Sequence, residues 1–216
     1  MLLAIYGTGG SGRELYEMIK RHGDLDSKWS EIIFIDDTKE GFYRGLRIIK
    51  FETFCKEFKS NCEVVIAVGE PASRQVLCDK VKQNGYELAT ILSPTAIVNT
   101  DANIQSGVVV RDNCIISSSS YIGENTWINS NSIVGHDVVI GKNCQISSFV
   151  MIAGKTHIGD NVYIGGSASI RERLEVGEFA VISMGAVVLK NVGASKIVMG
   201  NPGREIAENN DRKVFK

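Results

Sequence analysis

The sequence contains few of the residues that cross-link a protein or bind a metal. Its 216 residues include only three histidines and five cysteines. The cysteines are odd in number, scattered and never arranged as CxxC, so neither a disulfide framework nor a zinc site is supported. We expect reduced cysteines that pack as small apolar side chains, and therefore a cytoplasmic protein that holds no metal.

Surplus charge and long apolar runs are also missing. The formal net charge is −1, which gives no basic field to attract nucleic acid or an anionic membrane. No apolar stretch approaches the roughly 18 residues that a membrane-spanning helix needs. The opening MLLAIYGTGG lacks a basic start and its apolar run stops at Gly7, which favours a first buried strand over a signal peptide.

Residues 1–92 alternate between strand-like and helix-like segments. This alternation implies a parallel sheet with helices packed on its faces. Proline near the start of the last helix and Asn-Gly at its end are typical of helix boundaries. We predict strands at 2–7, 32–37, 63–69 and 87–92, and helices in RELYEMIKRHG (13–23), FETFCKEF (51–58) and PASRQVLCDKVKQNGY (71–86).

A different period begins at Val98. Every sixth residue from Val98 to Val188 is isoleucine or valine, at all sixteen positions, and the next residue is often glycine. Such a hexapeptide repeat is the signature of a parallel β-helix, in which short strands stack coil upon coil. We attribute the glycines to turns whose backbone angles a Cβ would strain. The unbroken register predicts no long inserted loop within this range.

Five motifs are informative in combination. They are GTGGSGRE (7–14), FIDD (34–37), ILSPTAIV (91–98), GHDVVIG (135–141) and GNPGREI (200–206). With these motifs the chain resembles the hexapeptide-repeat acyltransferases, and more closely the bacterial acetyltransferases of nucleotide-linked amino sugars and sialic acid. The resemblance implies a small Rossmann-like parallel α/β domain followed by a left-handed parallel β-helix with three hexapeptides per coil. It also implies a homotrimer that binds acetyl-CoA in the cleft between neighbouring β-helices.

The change of period divides the chain. Residues 1–92 are expected to form the Rossmann-like, nucleotide-sugar-binding domain, and residues 93–206 the β-helix that binds acetyl-CoA. Residues 207–216 form a polar C-terminal tail, which we expect to be disordered beyond Ile206.

His136 interrupts an otherwise small and aliphatic run, two residues after the core position Val134. Imidazole has a pKa near neutral and suits a general base that takes a proton from an attacking amine or hydroxyl. The resemblance implies this role, with Asp137 orienting the ring. Because adjacent residues on a strand point to opposite faces, that pairing requires a turn. Gly154 follows one 18-residue coil later, so we expect it beside His136 at about 4.8 Å, with its N–H directed at the acetyl carbonyl.

The remaining acetyl-CoA residues are expected from the resemblance. Gln145 occupies a position where some relatives carry a second histidine, so its amide would hydrogen-bond the thioester. Ser183, Gly185 and Ala186 are small and would let the pantetheine arm lie against the backbone. Arg204 would lie near the CoA phosphates.

The turn GTGGSG (7–12) follows a strand and opens a helix, an arrangement that binds phosphate through backbone N–H groups. Only about four strands are predicted, short of a full dinucleotide fold, which argues against NAD. The resemblance implies that this turn binds the phosphates of a nucleotide-linked sugar. Relatives that act on UDP-4-amino sugars often carry histidine in place of Ser11. This difference leaves undecided which sugar is bound and whether an amine or a hydroxyl is acetylated. The resemblance places the acids after the second strand at the base and ribose. An arginine in the first turn of the helix would add a charge-assisted contact to the phosphates. The residues expected to bind the nucleotide sugar are Gly9, Gly10, Ser11, Gly12, Arg13, Asp36 and Asp37.

Taken together, these expectations predict an enzyme that transfers an acetyl group from acetyl-CoA directly to the 4-amino group of a UDP- or dTDP-linked amino-deoxy sugar. We expect it to serve bacterial surface-glycan synthesis. The nearest alternative is an O-acetyltransferase of sialic acid or another polysaccharide sugar, which shares every motif. A second alternative is a non-catalytic β-helix that binds nucleotides or scaffolds a complex. A metal-dependent β-helix such as a carbonic anhydrase needs three histidines at one site. Since His22 lies in the other domain, only two histidines remain in the β-helix, which argues against this alternative.

Overall fold

Apolar runs form the centre of the first domain. The computed structural model describes residues 1–23 and 28–215. Leu2–Tyr6 (β1) pairs in parallel with Glu31–Ile35 (β2) on one side and Cys62–Ile66 (β5) on the other, and β5 pairs with Glu87–Leu88 (β6). Every β1 side chain is buried, as expected for a strand covered on both faces.

A hairpin that the sequence analysis missed extends this sheet. Gly41–Tyr43 (β3) runs antiparallel to Leu46–Ile49 (β4), and β4 pairs with β2, giving the order β3-β4-β2-β1-β5-β6. The two linking residues, Arg44 and Gly45, have positive φ angles of 48° and 84°, as two-residue hairpin turns require. The helices are Gly10–Arg21 (α1), Phe51–Glu57 (α2) and Pro71–Gln83 (α3).

The hexapeptides form a parallel β-helix with three faces, so the predicted fold class is confirmed. Strands on each face pair with strands 18 residues away, for example Ile133 with Met151. Face 1 contains Ile91–Leu92, Val109–Val110, Trp127–Ile128, Gln145–Ile146, Tyr163–Ile164, Val181–Ile182, Lys196–Met199 and Arg204–Glu208. Face 2 contains Ile97–Val98, Ile115–Ile116, Ile133–Val134, Met151–Ile152, Ser169–Ile170 and Val187–Val188. Face 3 contains Asn103–Ile104, Tyr121–Ile122, Val139–Ile140, His157–Ile158 and Glu175–Val176.

Turns between the faces stack into three corners. We call them corner A between faces 1 and 2, corner B between faces 2 and 3, and corner C between faces 3 and 1. In one coil they comprise residues 129–132, 135–138 and 141–144 respectively. The repeated aliphatic side chains fill the interior of the prism in a single apolar cluster.

The boundary between the two parts lies slightly earlier than predicted. Residues 87–92 contain two strands, because Glu87–Leu88 pairs with β5 whereas Ile91–Leu92 pairs with Val109–Val110 of the β-helix. The first coil of the β-helix therefore begins at Ile91.

The repeated glycines serve close packing, which differs from our expectation. Gly123, Gly135 and Gly165 are not among the residues with positive φ. A Cβ on any of them would lie within 2.5–2.7 Å of the backbone of the next coil, so the coils can approach only where no side chain intervenes. The left-handed turn positions are instead occupied two residues later, mostly by asparagine and other non-glycine residues such as Asn125 and Asp137.

Arg74 of α3 joins the two parts of the chain. Its fully buried guanidinium donates to the carbonyl oxygens of Ile66 (2.9 Å), Val68 (3.1 Å) and Asn125, and lies 5.2 Å from the ring centroid of Trp127 on face 1. Burial lowers the pKa of Arg74 to about 9, which still leaves the group charged at neutral pH. The α/β domain is thus held over face 1 and corner C.

Residues near the end of the chain are folded, contrary to the expected disorder beyond Ile206. The strand Arg204–Glu208 pairs antiparallel with Lys196–Met199. The backbone N–H groups of Val214 and Phe215 then bind the Glu70 carboxylate of the α/β domain.

Replacing Arg74 by alanine should destabilise the protein by about 3 kcal/mol or more, because it leaves buried carbonyl oxygens without a donor. Chemical denaturation monitored by circular dichroism measures this loss. Arg47→Ala, which removes an exposed ion pair with Glu57, is the matched control and should leave the free energy of unfolding nearly unchanged. Equal stability of the two variants would contradict the role of Arg74.

Candidate active site

A cavity of about 400 Å³ lies at the carboxyl ends of β2, β1 and β5. Ligands of parallel α/β domains bind at this edge of the sheet. The lining includes Gly9, Gly10 and Ser11 at the start of α1, and Asp36 and Asp37 after β2. Five of the seven residues expected to bind a nucleotide sugar therefore share one cavity.

Gly12 supports this cavity without lining it. A Cβ on Gly12 would lie 1.9 Å from the carbonyl oxygen of Gly7, so only glycine lets α1 start this close to β1. Gly9 is the N-cap residue, and no side chain caps the helix. The backbone N–H groups of the first turn are consequently free to bind an anion in the cavity.

Asp36 connects two loops at the cavity wall. One carboxylate oxygen accepts the N–H (3.2 Å) and the hydroxyl of Thr8, and the other accepts the N–H (3.0 Å) and the hydroxyl (2.6 Å) of Thr38. A carboxylate has about four lone-pair positions, and these four donors fill them. Burial by itself would raise the pKa of Asp36, but the hydrogen bonds from Thr38 and Thr8 hold it below its usual value. Contact between Asp36 and a nucleoside therefore requires one threonine to move.

Asp37 has a different set of partners. It accepts hydrogen bonds from the Tyr6 hydroxyl (2.5 Å) and the Phe51 N–H (3.0 Å), and forms an ion pair with Lys80 (2.7 Å). Burial by itself would raise the pKa of Asp37, but the hydrogen bonds from Lys80 and Tyr6 outweigh it and lower the pKa. Three donors leave one lone-pair position open, so Asp37 is better placed than Asp36 to accept a hydrogen bond from a nucleoside.

Arg13 lies outside the cavity at the carboxyl ends of β2, β1 and β5. Its guanidinium lies 6.0 Å from the ring centroid of Tyr43, and it lines a second cavity of about 560 Å³ with Arg111 and with Ser130 and Ser148 of corner A. The two cavities share Gly10 as a lining residue. The α/β domain therefore opens toward corner A of the β-helix.

His136 and Asp137 lie at corner B. The left-handed turn at Asp137, with a φ of 55°, brings its carboxylate 2.7 Å from His136 Nδ1, so the turn that this pairing requires is present. Because a carboxylate only accepts hydrogen bonds, Nδ1 carries the proton and Nε2 keeps a free lone pair. The hydrogen bond from His136 holds the pKa of Asp137 below its usual value. Both side chains are exposed.

Gly154 lies directly beside His136 in the next coil. A Cβ on Gly154 would lie 2.6 Å from His136 Nε2, and the N–H of Lys155 donates to the carbonyl of His136 at 2.9 Å. Within residues 1–23 and 28–215, the Gly154 N–H donates to no backbone carbonyl. Corner B thus presents a basic nitrogen and an unused N–H donor side by side.

The other predicted acetyl-CoA residues lie elsewhere in the chain. Ser183, Gly185 and Ala186 are at corner A, and Ala186 points into the apolar interior, so that only its backbone borders the surface. Gln145 is on face 1, almost fully buried, with its side-chain oxygen unpaired in the described structure. Arg204 begins the last strand of face 1 and is exposed. One copy of the chain therefore does not bring these residues to His136.

Cys144 has no catalytic geometry. Its side chain is completely buried in the β-helix interior, and burial raises the pKa of its thiol to about 12. In the part of the chain that the structure describes, no group of three or more His, Cys, Asp and Glu side chains is placed to hold a metal ion. Nor does any helix in that part combine the length and apolarity needed to cross a membrane.

Comparison with known proteins agrees with this two-part architecture. Residues 2–81 match the PglD N-terminal domain family, and residues 119–154 match the bacterial transferase hexapeptide family, which comprises six repeats. The chain thus contains a PglD-type N-terminal domain and, after it, bacterial transferase hexapeptide repeats. The resemblance seen in the sequence motifs is thereby confirmed.

Proteins similar to this chain include a curated N-acetyltransferase and solved structures of acetyltransferases. GDP-perosamine N-acetyltransferase of Escherichia coli O157:H7 is 32% identical over 127 residues, and the match covers 56% of each chain. The chain thus spans little more than half the length of this curated relative. WeeI of Acinetobacter baumannii AYE has 28% identity and a TM-score of 0.89, covering 95% of this chain and all of WeeI.

Another similar structure is a complex with acetyl coenzyme A. The acetyltransferase domain of PglB from Neisseria gonorrhoeae FA1090, in that complex, has 25% identity and a TM-score of 0.87, covering 95% of this chain and 98% of that domain. Perosamine N-acetyltransferase from Caulobacter crescentus, at 20% identity and a TM-score of 0.88 over 96% of this chain and 98% of that one, shares the fold.

Several residues that shape the candidate site were not predicted. Tyr6, Thr8 and Thr38 satisfy the two acids, Lys80 neutralises one of them, and Phe215 reaches the cavity from the end of the chain. Thr8 lies inside the quoted glycine-rich turn and Thr38 directly follows FIDD, so both were visible as polar neighbours. Lys80 and Phe215 are distant in sequence from the motifs and carried no local signal.

Proposed function

We propose that the chain is an acetyl-CoA-dependent N-acetyltransferase whose acceptor is the 4-amino group of a nucleotide-linked amino-deoxy sugar. The observation that carries the proposal is the stacking of His136 on Gly154, which pairs a base with a backbone donor. The α/β cavity supports a nucleotide-linked acceptor, since it combines a free helix N-terminus with Asp37. Relatives named as GDP-perosamine N-acetyltransferase and as acetyltransferases support the choice of an amine.

The reaction is a direct transfer. His136 Nε2 removes a proton from the neutral sugar amine as its nitrogen attacks the thioester carbonyl. The Gly154 N–H donates to the oxyanion that forms on the carbonyl oxygen. When the C–S bond breaks, the CoA sulfur leaves as a thiolate and takes the proton from the imidazolium. Asp137 keeps Nδ1 protonated throughout and stabilises the charged ring.

A single copy does not complete this site. Corner B lies opposite face 1 in a three-faced prism, and the α/β domain covers face 1. His136 and the nucleotide cavity of one chain are therefore on opposite sides of the β-helix. The acceptor must reach the His136 of another copy.

Face 2 supplies a surface for such an assembly. Its outward positions form an apolar ladder of Ile97, Ile115, Ile133 and Met151, which are 36–61% exposed. Exposed apolar patches of this kind mark protein interfaces. In a homotrimer with face 2 turned toward the three-fold axis, corner A of one copy lies against corner B of the next. This brings the second cavity, the small residues at corner A and the partner copy's corner B into one cleft.

The acceptor class is tested by measuring free-thiol release from acetyl-CoA. The panel contains UDP-, dTDP- and GDP-linked 4-amino-6-deoxy sugars, with sialic acid, CMP-sialic acid and serine as hydroxyl acceptors. We expect turnover with one of the 4-amino sugars and none with the hydroxyl acceptors, which also identifies the nucleotide. Turnover only with a hydroxyl acceptor would replace the proposal by O-acetylation, and no turnover or acetyl-CoA binding would favour a non-catalytic β-helix.

The pairing of His136 and Gly154 predicts that substituting either residue lowers kcat. His136→Ala should lower kcat by about 10²–10⁴-fold, since it removes the base. Gly154→Ala should also lower kcat, because the added Cβ occupies the position of the imidazole. Gly23→Ala, where a Cβ meets no atom within 4 Å, is the matched control and should keep wild-type turnover. Steady-state kinetics measures kcat for the three variants, and light scattering checks that each still forms the trimer. An unchanged kcat in His136→Ala would contradict the assignment of His136 as the base.

The shared site predicts complementation between inactive variants. His136→Ala lacks the base and Asp37→Ala has an impaired nucleotide cavity, so each alone should be nearly inactive. Random mixed trimers should recover about a quarter of wild-type turnover, because one quarter of the clefts combine an intact cavity with an intact His136. Adding Ile133→Glu to both chains should yield monomers and abolish the recovery, whereas Phe42→Glu at an exposed site on the hairpin should not. No recovery in verified mixed trimers would contradict the shared cleft.

A further inference from the structure

Residues 209–215 cross from the β-helix to the nucleotide cavity. Asn209 holds one end of this segment at corner C, where it is buried: its N–H donates to Ser195 O at 2.7 Å and its amide donates to Phe179 O at 3.1 Å. The Arg212 guanidinium lies 4.1 Å from the ring centroid of Phe179. The path of the segment is therefore set by specific contacts before it reaches the α/β domain.

Glu70 holds the other end of the segment. One of its carboxylate oxygens accepts the backbone N–H groups of Val214 and Phe215, at 3.0 and 3.1 Å. Hydrogen bonds to an ionised group are stronger than those between neutral groups. The Phe215 ring then packs edge-on against Tyr163 of face 1, with centroids 5.4 Å apart. Phe215 as a whole residue is still 57% exposed.

The exposed ring of Phe215 lies at the edge of the nucleotide cavity. A Cβ placed on Gly69, a lining residue, would lie 3.8 Å from the Phe215 ring and 4.0 Å from the Ser11 hydroxyl oxygen. The segment thus places an aromatic ring beside Gly69, next to a cavity whose walls come from the α/β domain.

Sheet order indicates which part of a ligand meets this ring. Asp37 follows β2, the start of α1 follows β1 and Gly69 follows β5, and these strands are neighbours in the order β2-β1-β5. A nucleotide sugar with its nucleoside at Asp37 and its diphosphate at α1 would bring its sugar near both the end of β5 and Gly10, which also borders the second cavity. Phe215 lies beside the end of β5.

We propose that Phe215 determines acceptor specificity by packing against an apolar surface of the bound sugar, such as the C–H face and methyl group of a 6-deoxy sugar. Contact would bury the exposed part of the ring, which is favourable against apolar ligand groups. Glu70 is a positioning residue that acts through Phe215. This proposal rests on the proposed function and adds a sugar-contacting residue outside both family domains.

Isothermal titration calorimetry with two probes tests the assignment: the nucleotide sugar that gives the fastest turnover in the panel, and its nucleoside diphosphate alone. Phe215→Ala should weaken binding of the nucleotide sugar by at least about fivefold. It should leave binding of the nucleoside diphosphate unchanged, since that part lies at the other end of the cavity. Phe215→Tyr should restore binding, Glu70→Gln should weaken it in the same selective way, and Phe42→Ala is the control for loss of an exposed phenylalanine.

Kinetics gives a second measure of the same role. The preference for a 6-deoxy sugar over its 6-hydroxy counterpart, taken as the ratio of kcat/KM values, should fall in Phe215→Ala, while the KM for acetyl-CoA stays unchanged. Equal weakening of both calorimetric probes, or no weakening of either, would overturn the assignment of Phe215. Absence of nucleotide-sugar binding by the wild-type chain would instead refute the proposed function, and this inference with it.

Discussion

Backbone pairing between residues 18 positions apart is the constraint on which the rest of the structure depends. Each turn of the β-helix can stack only if its strands stay in register with those above and below, as Ile133 does with Ile115 and Met151. This register decides which residues of distant sequence become neighbours. It places Gly154 against His136, and it sets the outward apolar ladder on face 2. The chemistry at corner B therefore follows from the period of the chain as much as from the residue types present.

The second determinant is the docking of the α/β domain on one face only. Trp127 and Val109 point outward from face 1 but are buried, because they share an apolar cluster with Leu15 and Ile19 of α1. Arg74 adds a polar connection at corner C, where its donors meet carbonyl oxygens of both parts. This docking fixes the nucleotide cavity relative to the β-helix. It also explains why the cavity and His136 of one chain are separated by the width of the prism.

Sequence patterns predicted the fold because both parts depend on local periodicity. Repeats of period six leave no alternative to stacked short strands, and the buried run at 2–6 required a central strand. The hairpin at 41–49 escaped prediction because its strands are short and bury only Ile48 and Ile49, and its turn contains Arg44 rather than the usual Asn-Gly or Asp-Gly. The role of the glycines was misjudged because close approach between coils leaves no trace in a single repeat.

Site residues were predictable to the extent that a motif contained them. His136, Asp137 and Gly154 came from a repeat position plus one coil length, and the structure places them together. Arg13 was assigned to the phosphates from its place in the first helical turn, but the rotation of α1 turns it to the second cavity. Lys80 and Phe215 approach the cavity only through tertiary packing, so no spacing rule within the sequence could identify them.

The final strand has a consequence for how the β-helix ends. A solenoid of parallel strands ends in unpaired backbone groups, on which another molecule could add a further coil and start a filament. Here Arg204–Glu208 runs antiparallel to its neighbour, with all five residues exposed and Arg204, Glu205 and Glu208 carrying charge. A coil added in parallel register would find the wrong hydrogen-bond pattern and a charged edge. This reversal of direction thus ends the solenoid at a defined length and opposes end-to-end polymerisation.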